Sequence, residues 1–224
     1  MKKIVLGLLM VFVLGCTKDD KANETNADSG TSIKIGTQTW TTKNLDIATY
    51  SDGTPIPQVT ATTAWSKITT GAWCYYNNDS ANETTYGKLY NWYAVAGIHD
   101  NDPNTPNKKL APTGWHVPSD AEWTTLTTYL GGESLAGGKM KEAGTTHWAS
   151  PNTDATNSSK FTGLPGGYRD GGGTFIGIGN YGNWWSSSES DSTSLWFLLY
   201  YNYGIADRDY IGKRGGFSVR CIKD

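Results

Sequence analysis

The stretch GWHVPSDAEW, residues 114–123, puts His116 within six positions of Asp120 and Glu122. A histidine beside two carboxylates is a set that general acid–base catalysis or metal binding can use. The same residues also have a structural interpretation, because Ser119 followed by Glu122 matches the capping box at the start of a helix. We predict that the stretch is scaffold, with Asp120 favouring the helix dipole and His116 hydrogen-bonded at the entry to the helix.

Two further carboxylate pairs have the residue types of a glycosidase: Glu189 with Asp191, and Asp207 with Asp209. Residues two apart on a strand share one face, and solvated pairs of this kind are common. The sequence has neither a G-x-S-x-G turn nor an H-E-x-x-H pairing. We therefore predict a protein that is not an enzyme, with a carbohydrate-active enzyme as the less favoured alternative.

A polar stretch at residues 100–104, DNDPN, resembles the first half of a calcium-binding loop. Thr105 stands where such a loop has its turn glycine, and Ala111 stands where it has its bidentate glutamate. The prediction is a solvated surface loop without a metal or cofactor. An irregular calcium site stays open as the alternative.

Two helices are predicted to position these segments. Trp123, Leu126 and Leu130 recur at helical spacing before a Gly-Gly stop, which predicts a helix over residues 120–130. In YGKLYNWYAVAG, residues 86–97, an apolar stripe ends at a glycine and predicts a second helix. The remaining chain consists of short β-branched and aromatic runs between Gly, Asn, Asp and Pro turns, so we predict an α+β fold with two main helices and short, mostly antiparallel strands.

Composition narrows the class of protein. The chain has 224 residues, of which 37% are hydrophobic and 18% charged, and its net charge of -2 offers no basic footprint for nucleic acid. It contains 27 glycines, 10 tryptophans and 13 tyrosines, a mixture that indicates tight turns and loops rich in amphipathic rings.

The N-terminus indicates export. Two lysines precede an apolar run over residues 4–14 that is too short to span a bilayer and suits a signal peptide. The run ends in VLGC, which resembles the lipobox of bacterial lipoproteins, so residues 1–15 are predicted to be a signal peptide and Cys16 the lipidated residue. The alternative is an ordinary signal peptide with a stray cysteine. Acyl chains on Cys16 would anchor the protein to a membrane without spanning it.

The residues after Cys16 predict a tether and a destination. TKDD, residues 17–20, resembles the short signal that sends Bacteroidetes lipoproteins to the outer face of the outer membrane. Residues 16–31 hold no aliphatic or aromatic side chain larger than alanine apart from the cysteine, so they form a predicted flexible linker. One folded domain is expected over residues 32–224.

The two cysteines of that domain, Cys74 and Cys221, lie in short strand-like runs. Since an exported chain occupies a disulfide-permissive compartment, we predict that they form a disulfide bond. Two buried free thiols are the alternative.

Seven motifs in one order carry a family resemblance: IGTQTWTTKNL, GAWCYYNND, YGKLYNWYAV, LAPTGWHVPSDAEW, LPGGYRDGGG, NWWSSSE and RGGFSVRC. They are spread over residues 35–221 and resemble the Fibrobacter succinogenes major paralogous domain (FISUMP) of exported bacterial proteins. The resemblance implies a C-type-lectin-like fold related to formylglycine-generating enzymes. Those enzymes bind copper through two cysteines about five residues apart, a pair that Cys74 and Cys221 do not provide. The calcium-binding sugar motifs of C-type lectins are also absent.

In C-type-lectin-like folds the ligand face lies in the long loops between the later strands. Here those loops correspond to residues 166–185 and 200–210, and the candidate ligand-binding residues in them are Tyr168, Arg169, Asp170, Tyr181, Trp184, Tyr203, Asp207 and Arg208. Exposed rings and an arginine fork suit a glycan or protein partner. We predict a surface lipoprotein that acts in adhesion or ligand binding, with a purely structural envelope protein as the alternative.

Overall fold

A computed structural model of the protein describes residues 32–224. The predicted signal peptide, the lipidated Cys16 and the tether over residues 16–31 lie outside the described residues. Within the described part, none of the helices has the length and apolar character that crossing a bilayer requires.

The fold is mostly β, with three antiparallel sheets. The first sheet joins the two ends of the domain, because its C-terminal strand pairs with strands from the N-terminus and from the middle of the chain. Its order is β1 (Ser32–Ile35), β2 (Gln38–Thr41), β12 (Ile222–Lys223) and β5 (Trp115–His116). The second sheet has the order β3 (Trp73–Cys74), β4 (Leu89–Asn91), β11 (Gly216–Phe217), β6 (Tyr168–Arg169) and β7 (Phe175–Ile176).

The third sheet contains the longest strands, in the order β10 (Ala206–Gly212), β9 (Thr193–Tyr200) and β8 (Tyr181–Ser190). Side chains alternate between its two faces. Trp184, Phe197 and Leu199 are buried on one face, in a core cluster that includes residues of the two longest helices. The opposite face packs on Phe217 at the Trp196 end, where the two rings stack at 4.7 Å. At the Tyr200 end, that face is partly open to solvent.

The helices are short. They are α1 (Thr62–Trp65), α2 (Glu83–Tyr86), α3 (Trp92–Ala96), α4 (Asp120–Tyr129) and α5 (Glu133–Met140). The prediction of an α+β fold with two main helices is therefore wrong. Only α4 matches its predicted extent, and it begins at the predicted capping box: the Ser119 side chain accepts from the Glu122 backbone, and Glu122 bonds back to the Ser119 N–H.

The second predicted helix fails for a local reason. Its first residues, Leu89–Asn91, form β4, where Tyr90 and Asn91 pair with β11. The Asn91 side chain then accepts a hydrogen bond from the Ala94 N–H at 3.0 Å, which begins a helix of only five residues. Gly97 ends it with a positive φ, as the sequence indicated.

The predicted disulfide bond is not formed. Cys74 and Cys221 are both buried free thiols, and they belong to different clusters of the core. Cys74 packs with Trp65 and Leu89, whereas Cys221 packs with Tyr90 and Val219. Burial raises the pKa of each thiol to about 12, so both behave as small apolar side chains.

A candidate ligand-recognition face

The open end of the third sheet carries a group of tyrosine rings with carboxylates beside them. Tyr181 on β8 lies directly opposite Tyr200 on β9, with their ring centroids 5.9 Å apart. Tyr203, in the turn before β10, packs against Tyr200 at 5.7 Å. We call this surface the tyrosine face and define it by Tyr168, Tyr181, Tyr200 and Tyr203 with Asp170, Asp207 and Asp209.

Strand alternation explains why the carboxylates join the rings. Asp207 and Asp209 on β10 stand opposite Leu198 and Trp196, the residues that share a face of β9 with Tyr200. The Tyr200 hydroxyl donates to Asp207 Oδ2 at 3.3 Å. Burial and then the negative charge of Asp207 raise the pKa of Tyr200 to about 12, so the phenol keeps its proton at neutral pH.

Tyr168 extends the face at its other side. Its ring lies 6.1 Å from that of Trp196, which shares a face of β9 with Tyr200. Burial raises the pKa of Tyr168, and Tyr181 and Asp170 raise it further. Gly177 makes room for the Tyr181 ring: a Cβ there would lie 2.1 Å from it, and the φ of Gly177 is +75°. A larger residue at position 177 would displace the ring.

Lys141 and helix α5 hold the turn that carries Tyr203 in place. Lys141 Nζ donates to the carbonyl oxygens of Tyr200 and Tyr203 at 2.9 and 2.8 Å. Helix α5 approaches the turn closely, since a Cβ on Gly137 would lie 2.0 Å from the Ile205 carbonyl oxygen. The Tyr203 side chain itself is 53% exposed. A fixed backbone thus presents a largely free ring.

Five of the eight residues predicted to bind ligand lie on the tyrosine face: Tyr168, Asp170, Tyr181, Tyr203 and Asp207. The structure places the other three elsewhere. Arg169 is 0% exposed, bonds to the carbonyl oxygens of Val59, Thr60 and Gly173, and stacks on Trp65 and Phe175. Trp184 is also 0% exposed, and its indole N–H bonds to Asn44.

Arg208 follows Asp207 on β10, so its side chain points to the opposite face of the sheet. There it bonds to Asp120 and Thr124 of α4 at 2.9 and 2.8 Å, and to Glu133 of α5. These contacts tie the sheet to the helices.

Sequence reasoning missed Tyr200 as part of the face. The period-two alternation of LWFLLYY carries the relevant signal, because it puts Trp196, Leu198 and Tyr200 on one side of β9. Knowing the register to Tyr181 would then have been enough to add Tyr200 to the face.

The other segments that contain potentially catalytic or metal-binding side chains use those side chains in structural contacts. His116 bonds to Glu122 and to Asp224, both at 2.7 Å, at the entry to α4. In the calcium-like stretch, Asp100 and Asp102 accept from the backbone N–H of Asp102 and Asn104. Residues 32–224 contain no group of three or more acidic, histidine or cysteine side chains placed to hold a metal ion.

Comparison with known families gives one match. The family model described as the Fibrobacter succinogenes major domain matches residues 33–223, nearly all of the described chain. Neither curated proteins nor solved structures give a match.

Proposed function

Because the chain belongs to the Fibrobacter succinogenes major domain family, we propose that it is a surface-anchored bacterial lipoprotein that binds glycans without catalysing a reaction. The location rests on the export signal and on Cys16, whose acyl chains would hold the domain at the outer membrane, facing the exterior. The binding activity rests on the tyrosine face.

The observation that carries this proposal is the exposed Tyr203 ring, which packs against Tyr200, the residue that donates to the Asp207 carboxylate. A tyrosine ring offers contact area at a low cost in conformational entropy, and its hydroxyl can both donate and accept. A carboxylate accepts hydrogen bonds from neighbouring hydroxyl groups, and charged acceptors make the stronger bonds. A sugar residue, which has an apolar ring face and a rim of hydroxyls, complements both groups.

The ring geometry narrows the shape of the ligand. Tyr181 and Tyr200 are nearly perpendicular, at 87°, and so are Tyr200 and Tyr203, at 89°. The face therefore presents the flat side of one ring next to the edge of its neighbour, rather than a row of coplanar rings. This arrangement suits single residues of a soluble or branched glycan better than the flat surface of a packed polysaccharide.

The test is binding of the purified full chain in detergent to an array of plant, host and microbial glycans, with calcium and again with a chelator. We expect Tyr203→Ala to weaken selective binding about tenfold or more, the loss typical of a central contact residue. Tyr129→Ala is the matched control, because Tyr129 is a 65% exposed tyrosine on α4, away from the tyrosine face.

The outcomes separate the alternatives. Equal losses from Tyr203→Ala and Tyr129→Ala would remove the tyrosine face from the function. Loss of binding with chelator would add calcium as a cofactor. A folded protein that binds no glycan under either condition would contradict the proposal and favour a protein partner or a structural role in the envelope.

The anchor has a separate test. Cells that express the chain are grown with a radiolabelled fatty acid, and label on the wild type but not on Cys16→Ser is the expected result. Accessibility of the intact protein to added protease on whole cells would place it on the exterior. Label that persists in Cys16→Ser would contradict the assignment of Cys16.

A further inference from the structure

A cleft of about 570 Å³ lies outside the tyrosine face. Its volume falls within the range of small-molecule sites. Hydroxyl, amide and charged side chains form most of its wall, and Leu164 is the one aliphatic residue larger than alanine among those lining it. Such a lining suits a polar ligand that both donates and accepts hydrogen bonds.

Arg220 in the wall of the cleft is a buried cation without a carboxylate partner. It is 1% exposed, and its guanidinium donates to Asn44 Oδ1 and to the carbonyl oxygens of Thr41, Phe161 and Thr162, at 2.7–3.0 Å. All four acceptors are neutral. These bonds use four of the five N–H groups of the guanidinium and leave one on Nη2 without an acceptor among residues 32–224.

Burial lowers the pKa of Arg220 to about 9, and no carboxylate acts against that effect. The guanidinium still carries its charge at neutral pH, and a buried charge is stabilised when an opposite charge pairs with it. Arg169 is also buried with neutral acceptors, but it stacks on two aromatic rings and is not among the residues that line this cleft. Arg220 stacks on one ring, that of Phe161 at 4.6 Å, and lies in the cleft wall with one N–H unused.

The carboxylates near the cleft have hydrogen-bond partners of their own. Asp46 and Glu83 both bond to Lys88, and Glu142 pairs with His147 Nδ1 at 2.9 Å. Lys43 lines the cleft, is exposed and forms no ion pair within the described chain. Arg220 and Lys43 are thus the charged residues of the cleft wall that have no ion-pair partner within residues 32–224.

We propose that this cleft binds a carboxylate-bearing sugar, a uronic acid residue of a glycan, with its carboxylate between Arg220 and Lys43. The hydroxyls of Thr84, Thr85 and Thr162 face the sugar hydroxyls, and the Asp46 and Glu83 carboxylates accept from them. The inference rests on the proposed glycan-binding function and names an acidic ligand class for a second site.

The test is isothermal titration of the full chain with tri-galacturonate, with the neutral trisaccharide maltotriose and with sodium sulfate. Lys43→Glu is the main variant, since its side chain is exposed and the reversal leaves the core intact. We expect it to weaken tri-galacturonate binding about tenfold or more, because a like charge then faces the ligand carboxylate. Lys67→Glu, an exposed lysine outside the cleft, is the control and should change binding less than about twofold.

Tyr203→Ala separates this site from the tyrosine face, because it should weaken tri-galacturonate binding much less than Lys43→Glu does. Tri-galacturonate binding that survives Tyr203→Ala would support the cleft even if glycan binding at the tyrosine face failed. No binding of tri-galacturonate by the wild type, equal affinity for maltotriose, or equal losses from Lys43→Glu and Lys67→Glu would overturn the proposal. Sulfate bound as tightly as tri-galacturonate would overturn the assignment to a sugar.

Discussion

Residues 141–167 and the third sheet pair their backbone polar groups in different ways. In the sheet, β9 pairs with β8 on one side and β10 on the other over most of its length, so each residue adds a small share of the hydrogen bonding. Residues 141–167 contain neither helix nor strand, yet they place Trp148 and Phe161 in the core. Irregular backbone at this depth needs partners for its polar groups.

Backbone carbonyls accept from many N–H groups of residues 141–167, and buried side chains donate to several of the loop's carbonyl oxygens. Lys141 Nζ, which is fully buried, donates to the carbonyl oxygen of Thr153 as well as to the Tyr200 and Tyr203 carbonyls. Arg220 donates to the carbonyls of Phe161 and Thr162, and Asn152 donates to those of Glu142 and Gly144. The sheet therefore spreads its stability over many residues, whereas the loop also depends on a few buried side-chain donors.

Of the substitutions considered, Arg220→Met is expected to destabilise the domain most. Methionine keeps much of the buried volume but removes the Arg220 bonds to three carbonyl oxygens and to Asn44 Oδ1, which keeps its bond from the Trp184 indole N–H. We expect a loss of about 4 kcal/mol or more in the free energy of unfolding, because each unsatisfied buried polar group costs about 1–3 kcal/mol. Urea denaturation followed by tryptophan fluorescence measures it.

Arg214→Met is the matched control for Arg220→Met. Arg214 is half-buried, and its side chain makes one such bond, to the Ile68 carbonyl oxygen at 3.0 Å. It should therefore lose only about 1 kcal/mol. If Arg220→Met does not accumulate as folded protein, Arg220→Lys, which keeps the charge and some donors, should fold with reduced stability. Equal effects of Arg220→Met and Arg214→Met would contradict the idea that loop stability is concentrated at Arg220.

Lys141→Met is expected to cause the second-largest loss in the free energy of unfolding. It removes three bonds to carbonyl oxygens of the loop and of the Tyr203 turn, and we expect a loss of about 2–3 kcal/mol. Amide hydrogen exchange should speed up around residues 153 and 200–203 but not in the middle of β9. Lys139→Met is the control, because Lys139 Nζ bonds to a single carbonyl, that of Leu130. Uniform exchange changes would show that Lys141 holds the whole domain rather than the loop.

How much of this was foreseeable depends on the kind of interaction. The capping box and α4 follow from local signals, and so does the glycine turn that ends α3. The buried cations do not, because arginine and lysine are rarely fully buried and nothing local marks the exceptions. Arg169 and Arg208 were therefore expected to bind ligand, although tertiary contacts give both of them structural partners.

The tyrosine face, likewise, could be predicted only in part from the sequence. Tyr168, Tyr181 and Tyr203 could be named because they lie in loop-rich, aromatic segments. Tyr200 needed the register between β8 and β9, and the cleft at Arg220 needed residues from five distant parts of the chain. Contacts between residues so far apart in the chain form only when the whole domain packs, and they leave no periodic pattern in the sequence.

Ser119→Ala tests how stability is distributed in a regular element, helix α4. It removes one bond of the capping box at the start of α4, and we expect a loss of about 1 kcal/mol. Thermal unfolding followed by circular dichroism measures it, and Ser119→Asp, another good N-cap residue, should restore most of the loss. An effect as large as that of Lys141→Met would contradict the view that stability near α4 is distributed.

The smallest expected effect is a pH dependence at the elbow before α4. Burial acts to lower the pKa of His116, but hydrogen bonds to Glu122 and Asp224 outweigh it and raise the pKa above its ordinary value. The imidazolium therefore stabilises the folded state fully below the unfolded pKa, near 6.5, and this contribution is lost as the pH rises through the folded pKa. Because the partners are partly solvated, we expect less than about 1 kcal/mol between pH 6 and 9. Urea denaturation should show this loss in the wild type and not in His116→Gln; identical pH profiles would mean that the elbow is held by the capping box alone.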